Sequence, residues 1–121
     1  MALGRFRGRS AEISAPTGPV APGTPVTVVI TVGRSHRGST DARVQLVLDR
    51  PGPDGWQREV IAQIPLGEPD GSIAAGAYPV QFTVPAHSPH STVDKAVWRV
   101  VAEAGLAGGR HLAAAAELRV G

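Results

Sequence analysis

His87, His90 and Asp94 fall within one short stretch, with Ser88 and Ser91 beside them. Two imidazoles and a carboxylate form a donor set suited to zinc or nickel, which take deprotonated ligands converging at about 2 Å. A serine next to a histidine is likewise the beginning of a nucleophile–base pair. Neither chemistry finds support elsewhere in the chain. Pro89 separates the two histidines, no helical periodicity puts them on one face, and His36 and His111 are isolated. A structural zinc site usually takes four protein ligands, about twice what the histidines here supply. A serine hydrolase needs an oxyanion donor and a third orienting group, and no Gly-x-Ser-x-Gly elbow occurs. The stretch therefore reads as a loop that turns the chain. A small metal- or ligand-binding enzyme built on His87, His90 and Asp94 is the alternative.

Other motifs are weaker still. Gly105-Leu-Ala-Gly108-Gly109-Arg110 is glycine-rich, but no Lys-Ser/Thr and no helix follow it, so it reads as a hairpin turn and not as a phosphate-binding loop. Glu59, Glu68, Asp70 and Glu103 show no pairing around a substrate. No catalytic residue, cofactor or metal is expected.

The chain has 121 residues and a net charge of +2, but the charge is uneven. Arg5, Arg7, Arg9, Arg34 and Arg37 precede residue 41 against the single acid Glu12. This basic end could attract an anionic partner. Nucleic acid fits poorly: exposed aromatic platforms are needed for single strands, and of only five aromatics Trp98, Tyr78 and Phe82 read as core. Duplex binding calls for a higher net charge. The chain contains no cysteine, which removes disulfides and thiolate metal sites. The basic start lacks the apolar region of a secretion signal, and no apolar run reaches membrane-span length. The cytoplasm is the expected location. Eleven arginines against one lysine suggest a bacterial genome of high GC content.

The elements that would position these residues are strands. Proline and glycine punctuate the chain, and the segments between them alternate with period two. Val26, Val28, Ile30 and Val32 form one face of a β-branched run. Val44, Leu46 and Leu48 repeat the pattern, as do Tyr78, Val80, Phe82 and Val84, and then Ala96, Trp98, Val100 and Ala102. Residues 50–55 form a hairpin loop, and a strand from Trp56 to Pro65 follows, with Val60, Ala62 and Ile64 inward. The final segment, HLAAAAELRV, carries four alanines of high helix propensity. Leu112, Ala114, Ala116 and Leu118 nevertheless alternate, and a strand can pair back across Gly108-Gly109. With a short strand at residues 11–14, the count is seven: an all-β, antiparallel, immunoglobulin-like sandwich over residues 11–121, preceded by a flexible basic arm at 1–10. On the outer face, Val97 and Val101, with Val29 and Val47, could form an apolar docking patch if contiguous.

The order of these features resembles a known family. Pro22-Gly23-Thr24-Pro25-Val26 precedes a long Val/Thr strand; Phe82-Thr83-Val84-Pro85 ends another; Pro89-His90-Ser91 and Val97-Trp98-Arg99-Val100 follow. This pattern resembles the N-terminal half of arrestin-like proteins, including the bacterial sporulation-control relatives. The resemblance implies an arrestin-like β-sandwich, one of the two that such proteins usually carry. It further implies an adaptor or scaffold that binds proteins through sheet edges and loops and performs no covalent chemistry. Pro85, Pro89, Ser91 and Trp98 carry over as structural positions. The sequence shows no buried charged cluster of the kind that signalling arrestins use as a phosphate sensor, so no functional residue carries over.

The expectation is thus a non-enzymatic module whose partner is another protein or a second copy. The candidate partner residues are Arg5, Arg7, Arg9, Arg34, Arg37, Val97 and Val101. A generic immunoglobulin-like domain of a larger bacterial assembly is the third reading.

Overall fold

Period-two alternation becomes two facing layers in the computed structural model, which describes residues 3–7, 10–87 and 95–121. The strands are β1 (Leu3–Arg7), β2 (Ala11–Pro16), β3 (Pro25–Val32), β4 (Thr40–Gly52), β5 (Gly55–Pro65), β6 (Gly76–Thr83), β7 (Val97–Gly105) and β8 (His111–Leu118). One sheet has the order β1-β2-β3-β6 and the other β5-β4-β7-β8, with every neighbouring pair antiparallel. The inner faces anticipated for β3, β7 and β8 are all buried, and Trp98 is the largest fully buried side chain. Burying such side chains is the main stabilising term, at about 1.5–3 kcal/mol each. The alanine-rich segment is a strand, paired with β7 from Trp98↔Leu118 to Gly105↔His111. There the edge of β7 outweighs alanine's helix propensity. Beyond β8, Val20 donates its N–H to the Arg119 carbonyl at 2.7 Å and accepts from Gly121 N–H at 3.1 Å. A parallel bridge at Val120 thus ties the β2–β3 connection to the chain end.

The structure corrects the sequence reading in three places. Among the described residues there are eight strands, not seven, because Leu3–Arg7 is not a free arm. It pairs with β2 in the register Arg5↔Ser14, and half-buried Phe6 packs against the core. An apolar residue between two arginines is itself period-two alternation, and the arginine side of β1 can stay wet.

The second correction concerns Val60, which is 49% exposed rather than inward. Leu46 pairs with Ala62 and Val47 with Val60, so Ile61 is the extra residue of a bulge. One inserted residue turns every side chain beyond it to the other face. Ala62 and Ile64 remain against the core, and Ile61 joins them. The third is Val101, placed by sequence on a wet face but buried. It sits opposite Gln45, between Arg99 and Glu103, among long side chains whose stems cover apolar surface.

Candidate functional site

The free ends of the two sheets meet in an open groove of about 830 Å³. Ser10–Glu12 enters from the β1–β2 turn, residues 33–37 from the β3–β4 connection, and Leu106 to Arg110 from the β7–β8 turn. The 33–37 segment is pinned rather than loose. His36 N–H donates to Ile73 O at 2.8 Å, and Ile73 N–H returns a bond to His36 O at 2.9 Å. Ser35 Oγ accepts from Ala75 N–H at 3.0 Å. Farther along, Ser39 N–H and Oγ both donate to the Gly71 carbonyl, at 2.9 and 2.7 Å. The opposite lip is closed by Leu106 N–H donating to Arg110 O at 2.8 Å, across two glycines with positive φ.

Three exposed guanidiniums, those of Arg34, Arg37 and Arg110, line this groove. The carboxylate in its lining is Glu12, which stands 3.8 Å from Arg5 Nε. His36 also lines it, and its Nε2 is buried without a hydrogen-bond partner among the described residues. Such an orphan atom costs about 1–3 kcal/mol in desolvation.

The structure therefore brings Arg34 and Arg37 together but adds Arg110, which sequence had assigned to a plain turn. Arg5 lies on the neighbouring strand, tied to Glu12. Arg7 reaches this end of the sandwich through its backbone, opposite Glu12 in the register. Arg9 lies outside the described residues, as do Ser88, Pro89, His90, Ser91 and Asp94. His87 is exposed after β6. Among the described residues, no three His, Cys, Asp or Glu side chains gather in a way that could hold a metal ion. No helix there is long and apolar enough to cross a membrane.

The outer face of the second sheet holds what the sequence reading missed. Asp49, only 6% exposed, accepts from Arg58 Nε and Nη2 at 2.8 and 2.9 Å, and from Arg99 Nη1. The Arg58 hydrogen bonds lead the effects that hold the Asp49 carboxyl below its usual range; burial opposes them. A charged cluster thus exists, with Asp49 buried and its two arginines partly exposed at the surface. The signal for it was the hairpin: a turn closed by the Gly52↔Gly55 pair sets Asp49 opposite Arg58. Around it, Val47 and Val101 are buried and Val97 is half-buried, so the anticipated valine patch is mostly covered. Among the described residues, the large exposed apolar groups of this sheet stand on one of its two edge strands, β5: Trp56 at 65% exposure, and Val60.

No protein-family model matches the chain, and no curated protein sequence does. Solved structures do. The sporulation control protein Spo0M from Bacillus subtilis superposes with a TM-score of 0.62 and 22% identity, covering 97% of this chain and 49% of that one. The superoxide reductase neelaredoxin from Ignicoccus hospitalis superposes with a TM-score of 0.56 and 13% identity, covering 97% of this chain and 83% of that one. The chain spans about half the length of the Spo0M chain and has its arrestin-like fold.

Proposed function

We propose that the chain is a non-enzymatic protein-interaction module of the arrestin-like type, an adaptor or scaffold of the bacterial cytoplasm. It binds a protein partner, or a second copy of itself, through sheet edges and loops. The observation that carries this reading is the β5 edge. An outermost strand offers backbone N–H and C=O groups to an incoming strand. Here that strand also presents Trp56 at 65% exposure, an aromatic of the kind that anchors interfaces. A fold shared with Spo0M is consistent with a regulatory role of this sort.

Cross-linking and affinity capture from the native host, with sedimentation of the pure protein, test the reading. Wild type is compared with the double variant Trp56→Ser/Val60→Lys, its fold checked by circular dichroism. A specific partner or dimer that disappears in the variant supports it. A wild-type protein that stays monomeric and captures the same set as the variant removes it.

The metal-enzyme alternative around His87, His90 and Asp94 draws on the fold likeness to neelaredoxin. Elemental analysis of untagged protein decides it. A stoichiometric metal lost in His87→Ala would displace the adaptor reading.

A further inference from the structure

Arg5, Arg43, Arg50, Arg58 and Arg99 each face a carboxylate. Arg34, Arg37 and Arg110 face none among the described residues, yet the fold gathers them from two separate connections into one groove. Like charges brought together without partners weaken a fold slightly and raise the local affinity for anions. We propose that this groove is a docking site for an acidic peptide segment of a partner protein, whose aspartate or glutamate carboxylates pair with Arg34, Arg37 and Arg110.

The lining decides among anions. Among the described residues it contains no Phe, Tyr or Trp, and its one imidazole, His36, is half-buried, so no exposed aromatic platform is offered to a nucleobase. The groove is open and edged by serine, threonine and arginine, unlike the apolar enclosure that buries a small organic ligand. Compact phosphate sites add converging backbone N–H groups at a helix start. The turn here is a three-residue 3-10 segment, too short to offer one. Three guanidinium forks on two walls suit carboxylates distributed along an extended chain. The backbone bonds that pin His36 to Ile73 hold one wall in place before anything binds, which lowers the ordering cost of association.

This inference rests on the reading of the chain as an interaction module but uses the other end of the sandwich. The groove lies at the Gly105↔His111 end of the second sheet, and Trp56 lies at the Gly52↔Gly55 end. The two can therefore fail separately.

The test is an NMR titration of the full chain with a peptide of alternating glutamate and serine, a matched glutamine–serine peptide, and inorganic phosphate. The glutamate peptide should shift the amides of residues 33–37 and 106–110, and binding should weaken as salt rises and screens the charges. Each single substitution Arg34→Ala, Arg37→Ala or Arg110→Ala should weaken binding by about two- to fivefold, the range of an exposed ion pair. The triple variant should lose about tenfold or more at an unchanged or slightly raised melting temperature, and Trp56→Ser should bind as wild type. Equal binding of the two peptides, or an unaffected triple variant, overturns the proposal. Saturable phosphate binding without peptide binding also overturns it and reassigns the groove to a small phosphate.

Discussion

Replacing Asp49 by asparagine keeps the side chain's volume and removes its charge. Breaking a buried ion pair from one side costs about 3–5 kcal/mol when the abandoned charge stays buried. Here the carboxylate is buried, but the side chains of its partners are 46% exposed for Arg58 and 36% for Arg99. Both guanidiniums can turn to water, so the cost falls to the scale of lost charge-assisted hydrogen bonds. Allowing for that screening, Asp49→Asn should destabilise by about 2 kcal/mol at neutral pH and lower Tm by about 5–10 °C.

The pH dependence gives the second half of the prediction. Hydrogen bonds from Arg58, and then its charge and those of Arg99, hold the Asp49 carboxyl below its ordinary value against the effect of burial. A group whose folded pKa is depressed contributes fully above its unfolded value, about 4, and loses that contribution as pH falls through the folded value. Asp70 is also lowered, by the Ser72 backbone N–H, but it is common to both proteins and cancels in the comparison. Urea unfolding followed by tryptophan fluorescence, wild type against Asp49→Asn, should show a constant gap above about pH 5 that closes toward about pH 2. A gap below about 0.5 kcal/mol at neutral pH, or one that does not change on acidification, refutes the reasoning. The companion variant Asp49→Val/Arg58→Leu/Arg99→Val should be neutral or more stable, because removing all the charges leaves none stranded.

Three further outcomes follow from single contacts. Trp98→Ala should cost about 3–5 kcal/mol by urea titration, since the indole is fully enclosed between the sheets. Gly71→Ala should destabilise by about 1–3 kcal/mol in thermal unfolding: φ is +89° there, and a new Cβ would sit 2.7 Å from Ser39 O. Amide exchange should also show residues 33–39 released in that variant, because Gly71 O holds both Ser39 donors. His36→Leu should leave stability unchanged or raise it by up to about 1 kcal/mol, because it removes a buried nitrogen that has no partner; a clear loss would show that the imidazole is satisfied in solution.

Legibility in the sequence followed locality. The inner faces of β3, β6, β7 and β8 could be read because alternation is a property of one segment, and Val26 to Val32 needs no partner to be recognised. The strand at residues 111–118 was readable once pairing across Gly108-Gly109 was considered. The misses all depended on a second segment. The burial of Phe6 depends on β2 and the core beneath it. The outward turn of Val60 depends on a bulge in the pairing with β4, which the strand's own residues do not announce. Arg110 joins Arg34 and Arg37 only because the ends of two different sheets meet. Asp49 was within reach, since the hairpin arithmetic sets it opposite Arg58; its alternation with Val47 made it look like an ordinary solvated position.

The bulge, the ion cluster and the exposed tryptophan form one causal chain. If Ile61 took a regular place in the ladder instead of bulging, Val60 would continue the inward face of Ala62 and Ile64, and Trp56 would follow it inward by the same parity. With the bulge, Arg58 comes onto the outer face opposite Asp49, where two hydrogen bonds hold the shifted register. A slip of one residue would carry Arg58 off that face and leave the Asp49 carboxylate buried with one partner fewer, a costly arrangement. Arg99, reaching Asp49 from β7, ties the same carboxylate to the next strand, so the projecting hairpin is braced from two sides. The cluster therefore does more for register than for net stability. Its consequence is to hold Trp56 outward on the outermost strand, where the proposed partner strand would meet it.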